Sequence, residues 1–266
     1  MAKIKVNGVE LYYELTGNGD KVIAFLNGVG MHTALWVDQV NFFNKNYKCL
    51  CHDTRGQLQS EKPDMEYSME MHTEDFKCLL DALNIKKVHL VGTSYGSEIS
   101  MIFAYTYPEM VESLTVVCGV SELDEVLYAA VDSWELAAEK CPDIFIKSLF
   151  PWSYSADFIK KNKANFQKRE EELRQQLPPV FYKAFARLIR AFKKLNITGE
   201  LKKIKCPSLI ISAEEDIIKP PKYGKIIADN IKNSEFHIIK GAAHAVFTEK
   251  PDEVNKLLND FLKKIG

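Results

Sequence analysis

The chain has 266 residues, 46% hydrophobic and 27% charged, with 35 Lys and Arg against 36 Asp and Glu. That composition supplies core for one large domain plus an insertion, and a formal charge of -1 leaves no field to hold nucleic acid or an anionic membrane. No stretch has the uninterrupted apolar length of a membrane span, and the N-terminal MAKIKVNGVELYYEL lacks the apolar run of a signal peptide, so a cytoplasmic protein is expected.

In chain order, residues 3–6 and 9–15 alternate about Asn7-Gly8, which predicts a tight hairpin at the antiparallel edge of a sheet. Residues 22–26 are a fully apolar strand that runs out into Asn27-Gly28-Val29-Gly30, a turn with glycine freedom, and a helical pattern starts near residue 35. Residues 47–51 read as the next strand, followed by a polar loop to Pro63, and residues 68–83 as an amphipathic helix with Phe76, Leu79, Leu80 and Leu83 on one face.

Residues 88–91 then form a short apolar run of the kind buried on both faces of a parallel sheet, and residues 99–107 switch to helical spacing. Gly92-Thr93-Ser94-Tyr95-Gly96 joins them. A serine on so sharp a bend stands above the sheet edge, where a base can take its proton, while a side chain at Gly92 or Gly96 would collide with the neighbouring strand or helix. The helix N-terminus also turns the Tyr95 amide toward the site, where it can stabilise an oxyanion.

Residues 111–118 supply another strand, and the alternation of strand and helix then stops. Residues 121–200 are helical in pattern, interrupted by Pro142, Pro151 and Pro178-Pro179, and rich in aromatic side chains. They are expected to form a helical cap inserted into a core made of residues 1–120 and 201–266. Trp134, Phe150, Trp152 and Phe185, with Val246 from the core, are the expected substrate-pocket residues. Lys183, Arg187, Arg190 and Lys194 fall opposite the aromatic face of the last cap helix and read as a solvated face. The sheet resumes at 208–213 and 235–239, separated by a helix at 223–231 and closed by one at 251–264. The fold class is therefore α/β, a mostly parallel eight-stranded sheet with helices on both faces.

Each resumed strand ends in a candidate catalytic residue, at the edge where open α/β sheets bind ligands. Asp216 follows the strand at 208–213 and His244 the strand at 235–239. Ser94, Asp216 and His244 thus occur in the order nucleophile, acid, histidine. Glu214, Glu215 and Asp124 remain alternatives for the acid. The other histidines fall within strand or helix patterns or on neighbouring loops. Six cysteines, at 49, 51, 78, 118, 141 and 206, have no CxxC spacing and read as reduced packing residues, with no metal or cofactor expected.

These residues resemble the α/β-hydrolase fold superfamily, in its lidded esterase-like branch of 3-oxoadipate enol-lactonases, BioH-type carboxylesterases and cofactor-free haloperoxidases. LNGVG is similar to the oxyanion-loop HGxG, DTRGQLQS to DxRGxGxS, and GTSYG to the nucleophile elbow. ISAEEDIIKP is similar to the acid loop and GAAHAVFTEKPDEVNKLLNDFL to the histidine loop. The resemblance implies an oxyanion hole from the backbone N–H groups of Val29 and Tyr95, supported by Asn27, Gly28 and Gly30. Asn27 stands where histidine is usual, and Leu58 and Ser97 where glycine is.

A serine at the elbow separates the chain from relatives that use aspartate there. Proline iminopeptidases resemble the GTSYGS stretch but need lid carboxylates, whereas Glu170-Glu171-Glu172 reads as solvated helix surface. The expected activity is hydrolysis of a small or medium carboxylic ester, lactone or thioester by a monomer or homodimer. Its rivals are a C–C hydrolase, a carrier thioesterase, and a ligand sensor that keeps the triad.

Overall fold

Asn7 and Gly8 both take positive φ, 45° and 74°, the conformation a two-residue hairpin turn requires. They join β1 (Ala2–Val6) to β2 (Val9–Thr16) in antiparallel register, Val6 opposite Val9. The computed structural model describes residues 2–149 and 151–266. Beyond the hairpin lie β3 (Val22–Leu26), α1 (Val37–Phe43), β4 (Lys48–His52), α2 (Met69–Ala82), β5 (Val88–Thr93), α3 (Tyr95–Thr106) and β6 (Val111–Val117). The helix expected near residue 35 begins as a 3-10 turn, Thr33–Trp36. Ser68 caps α2 by accepting the Met71 N–H.

Five helices separate β6 from β7 among the described residues: α4 (Glu125–Lys140), α5 (Pro142–Leu149), α6 (Ala156–Lys161), α7 (Lys163–Gln176) and α8 (Pro179–Phe192). Phe181, Phe185, Leu188 and Phe192 are buried on α8, which packs along α4. Its opposite face is not simply solvated as expected. Lys183 and Lys194 are exposed, but Arg187 pairs with Asp64 and Arg190 with Glu66, Glu135 and Glu139. The chain closes with β7 (Ser208–Ala213), α9 (Pro221–Asn230), β8 (Ser234–Ile239), the one-turn α10 (Val246–Glu249) and α11 (Pro251–Ile265).

The eight strands lie in the order β1-β2-β4-β3-β5-β6-β7-β8. β2 runs antiparallel to both of its neighbours, and the pairs from β4 through β8 are parallel. Side-chain alternation splits β3 between two cores. Ile23 and Phe25 pack with Phe43 of α1 and Val254 and Leu258 of α11, while Ala24 and Leu26 pack with Phe76 of α2 and Ile102 of α3. Parallel strands end on one rim, so the segments leaving β3, β5, β6, β7 and β8 converge there.

Candidate active site

The turn from β5 into α3 is as tight as its glycines imply. A Cβ on Gly96 would lie 2.1 Å from the Leu26 carbonyl oxygen, and one on Gly92 would lie 2.4 Å from the Gly96 carbonyl oxygen. Ser94 itself has φ 50° and ψ -120°, a region that costs a non-glycine residue about 1–3 kcal/mol unless its surroundings enforce it. Here they do. The Ser94 N–H donates to the Val117 carbonyl at 2.9 Å, and the Ser97 hydroxyl donates to the Gly92 carbonyl at 2.7 Å. Ser97, in place of the usual glycine, therefore stitches the bend closed.

Asp216 follows β7 and presents both carboxylate oxygens to donors. Oδ1 accepts from the N–H groups of Ile218 (2.9 Å) and Lys219 (2.8 Å), and Oδ2 lies 2.7 Å from His244 Nδ1. Burial alone would push this carboxyl up, but His244 and the two backbone donors hold it below the usual carboxylate range. An ionised carboxylate only accepts, so Nδ1 of His244 carries a proton, and Nε2 is the ring nitrogen left for other partners.

The alternative acids are occupied elsewhere. Asp124 caps α4 through the Leu127 N–H and pairs with Lys222, and Glu214 accepts the Gly241 N–H. Glu215 is exposed. Ser94 and His244 line one cavity of about 230 Å³. The Ser94 hydroxyl makes no hydrogen bond among the described residues; nucleophile and base commonly close their contact only around substrate.

Asn27 braces its loop through two side-chain hydrogen bonds. Its Nδ2 donates to Asp53 Oδ1 at 3.1 Å and its Oδ1 accepts from Trp36 Nε1 at 2.8 Å. Asp53 also accepts the N–H groups of Thr33 and Gln59. Burial nevertheless pushes its carboxyl up to about 6. Gly30 (φ 75°) donates its N–H to Gln57 Oε1 at 2.6 Å, and a Cβ on Gly28 would press on the Ser94 Cβ at 3.3 Å. Among the described residues the N–H groups of Val29 and Tyr95 have no acceptor.

Of the expected pocket residues, Trp134 lines the cavity. Trp152 is not on its wall and is 54% exposed, while Phe185 and Val246 are fully buried behind it. Phe150 lies outside the described residues. The wall is formed instead by Leu58, Phe145, Leu173, Phe181 and Ile218, with His32, Thr93, Ser153, Tyr154 and Arg169 as polar members besides Ser94 and His244.

Two further residues near Asp216 and His244 have only faint sequence signals. Cys118, at the end of β6, puts its sulfur in a cluster with Asp216 and His244, all within 4.8 Å. Burial drives its thiol well above the ordinary range, so it is an inert neighbour of the carboxylate. Glu249, on the unforeseen α10, accepts the Ala243 N–H and the Ser155 hydroxyl, and so ties the histidine loop to the helical segment.

Residues 21–166 match the family model for the alpha/beta hydrolase fold. The human serine hydrolase BPHL is 29% identical over 98% of this chain and 86% of its own length. A putative carbamate hydrolase RutD from Stutzerimonas stutzeri (strain A1501) is 24% identical over 95% of this chain and 96% of its own. Among solved structures, MGS-M2, an alpha/beta hydrolase enzyme from a Medee basin deep-sea metagenome library, superposes with a TM-score of 0.94 at 30% identity, covering 98% of this chain and 97% of that one. The enol-lactonase from Burkholderia xenovorans LB400 gives 0.90 at 23% identity, covering 98% and 100%.

Proposed function

The chain belongs to the alpha/beta hydrolase fold family and is a hydrolase, and from that premise we propose that it cleaves a small carboxylic ester, lactone or thioester through an acyl-enzyme on Ser94. The observation that carries the reading is the His244 Nδ1 to Asp216 Oδ2 contact of 2.7 Å, made on the cavity that Ser94 also lines. His244 Nε2 takes the Ser94 proton as the hydroxyl oxygen attacks the acyl carbon, then returns it to the departing alkoxide or thiolate. Water repeats the sequence on the acyl-enzyme. The free N–H groups of Val29 and Tyr95 are the donors for the oxyanion, and Gln57 and Asp53 hold the loop that carries the first of them.

Residues 121–200 serve as a cap that covers the acyl or alcohol group with Trp134, Phe145 and Phe181. No metal or cofactor takes part in this scheme. A reducing, cytoplasmic setting suits the six free cysteines.

Fluorophosphonate labelling with peptide mapping tests the scheme directly, the expected result being a label on Ser94 that is lost in Ser94→Ala. Asp216→Asn is expected to lower kcat on p-nitrophenyl esters by about 10³–10⁴-fold, since the wrong histidine tautomer then faces the serine. Full labelling of Ser94→Ala, or an Asp216→Asn enzyme with normal turnover, contradicts the assignment. A parallel panel of acyl thioesters separates the bond types, because a dedicated C–C hydrolase is slow on both.

A further inference from the structure

Among the described residues, Arg169 is the one permanently charged side chain on the cavity wall, and no carboxylate lines it. It reaches in from α7, on the helical side, while Ser94 and His244 stand on the sheet side. The same residue borders an outer cavity with Phe158, Asn162 and Thr248, which puts it at the mouth between the two. Two other arginines are held by carboxylates at close range: Arg55 grips both oxygens of Asp75 at 2.7 Å, and Arg190 grips both oxygens of Glu66 at 3.0 Å. Arg169 has Glu172 at 3.9 Å as its ion-pair partner and His32 Nε2 at 3.3 Å from one of its terminal nitrogens.

We propose that Arg169, steadied by His32, is a recognition residue for a carboxylate on the substrate, so that the preferred substrates are half-esters of small dicarboxylic acids. The inference rests on the hydrolase reading of Ser94 and adds to it the class of acid that is released. A planar guanidinium with open donors matches a carboxylate through two parallel N–H···O bonds. In a cavity walled mostly by apolar side chains, among them Leu58, Trp134, Phe145, Leu173 and Ile218, an anion without such a partner would lose much of its hydration uncompensated. Occupancy from opposite walls sets the polarity of binding: the ester carbonyl at Ser94, the free carboxylate outward at Arg169. His32, kept neutral first by burial and then by the nearby guanidinium, accepts from Arg169 and does not compete with it for the anion.

The test is the ratio of kcat/KM for monoethyl succinate, glutarate and adipate to that for neutral ethyl esters of matched length, followed by pH-stat. For the best-fitting chain length the wild-type ratio is expected to be about 10. Arg169→Met brings it to about 1, and Arg169→Lys keeps part of it, because the charge survives while the fork does not. Calorimetry of monomethyl glutarate against methyl valerate on Ser94→Ala reads the same contact without turnover. Absence of ester cleavage and of Ser94 labelling breaks the hydrolase reading, whereas a calorimetric preference that disappears in the Ser94→Ala/Arg169→Met double variant upholds the anion site. A wild-type ratio near 1 with no binding preference, or a preference unmoved by Arg169→Met, overturns the proposal.

Discussion

On the sheet side of the cavity the buried carboxylates of Asp53, Glu98 and Asp216 each accept two or more hydrogen bonds, whereas the helical side is built from packed rings and partly exposed ion pairs. Asp53 holds Asn27, Thr33 and Gln59; Glu98 holds the Val120 N–H and the Lys219 ammonium; Asp216 holds Ile218, Lys219 and His244. Across the cavity, Phe145 meets Phe181, Tyr182 and Phe185 edge-on, at centroid distances of 6.1, 5.4 and 4.6 Å. α7 buries no residue fully. Directional bonds set positions to a few tenths of an ångström, which proton transfer needs, while apolar contacts fix volume and leave the wall able to repack. The wall that carries Ser94 and His244 and the wall that carries Arg169 are therefore stabilised by different forces, and perturbations should separate them.

The largest perturbation expected is removal of the Glu98 carboxylate. Lys219 Nζ lies 3.0 and 3.1 Å from its two oxygens, with the two side chains 3% and 0% exposed. The backbone N–H of Lys219 binds Asp216, so this pair fastens the acid loop to the helix that follows Ser94. Glu98→Ala leaves an ammonium buried without a partner, at a cost of about 3–5 kcal/mol. In a chain of this size that lowers the melting temperature by roughly 10 °C. The double variant Glu98→Ala/Lys219→Met removes the stranded charge and should recover much of the loss. Additive losses in that double-mutant cycle would show that the two side chains do not act as a pair.

A second perturbation acts on the same side through pH. Burial holds His72 down to about 3 and His52 and His89 down to about 4, against about 6.5 in an unfolded chain. Their folded values are depressed, so the native state binds fewer protons than the unfolded state. The stability they contribute is intact above about pH 6.5 and is lost as pH falls from there toward 4 and 3. Asp53 works the other way, because its carboxyl is pushed up to about 6 and its burial penalty is relieved by protonation below that pH. At pH 5 each histidine costs about 2 kcal/mol and Asp53 returns about 1, so a net fall is expected. Melting curves from pH 8 to 5 should be flatter in His72→Gln than in the wild type; parallel curves would mean that His72 is not the source of the slope.

The sheet side was also the side legible from sequence, and for a related physical reason. Buried parallel strands are continuous apolar strings, so β3 and β7 were bounded to the residue, and the residues following β5, β7 and β8 had to share a rim. The acid is not legible in the same way, because the choice among Asp216, Glu214, Glu215 and Asp124 depends on which carboxylate meets His244, and no local pattern encodes that. The helical side was legible only as helices. Aromatic content did not distinguish Trp134, on the cavity wall, from Trp152, on the surface, or from Phe185, behind the wall. Arg169 lay beside a run of glutamates that reads as solvated, and α10 is a single turn too short to carry a period. The strand order, with β4 between β2 and β3, is likewise a tertiary choice.

The smallest effect belongs to the helical side and reads its ionic component alone. Arg190 of α8 contacts Glu66 in the loop before α2 and Glu135 and Glu139 of α4, at 2.7 to 3.0 Å, yet its side chain is 28% exposed and Glu66 is 61% exposed. Partly exposed pairs of this kind contribute about 0.2–1 kcal/mol, because water screens them and two long side chains must be held in one geometry. Arg190→Ala should therefore lower the melting temperature by no more than about 3 °C. The difference from wild type should shrink further at 1 M salt, where charges a few ångströms apart are already screened. Glu98→Ala should keep most of its deficit at the same salt concentration, since solvent ions do not reach a pair that is almost wholly buried. Equal salt sensitivity in the two variants would contradict the division drawn between the two walls.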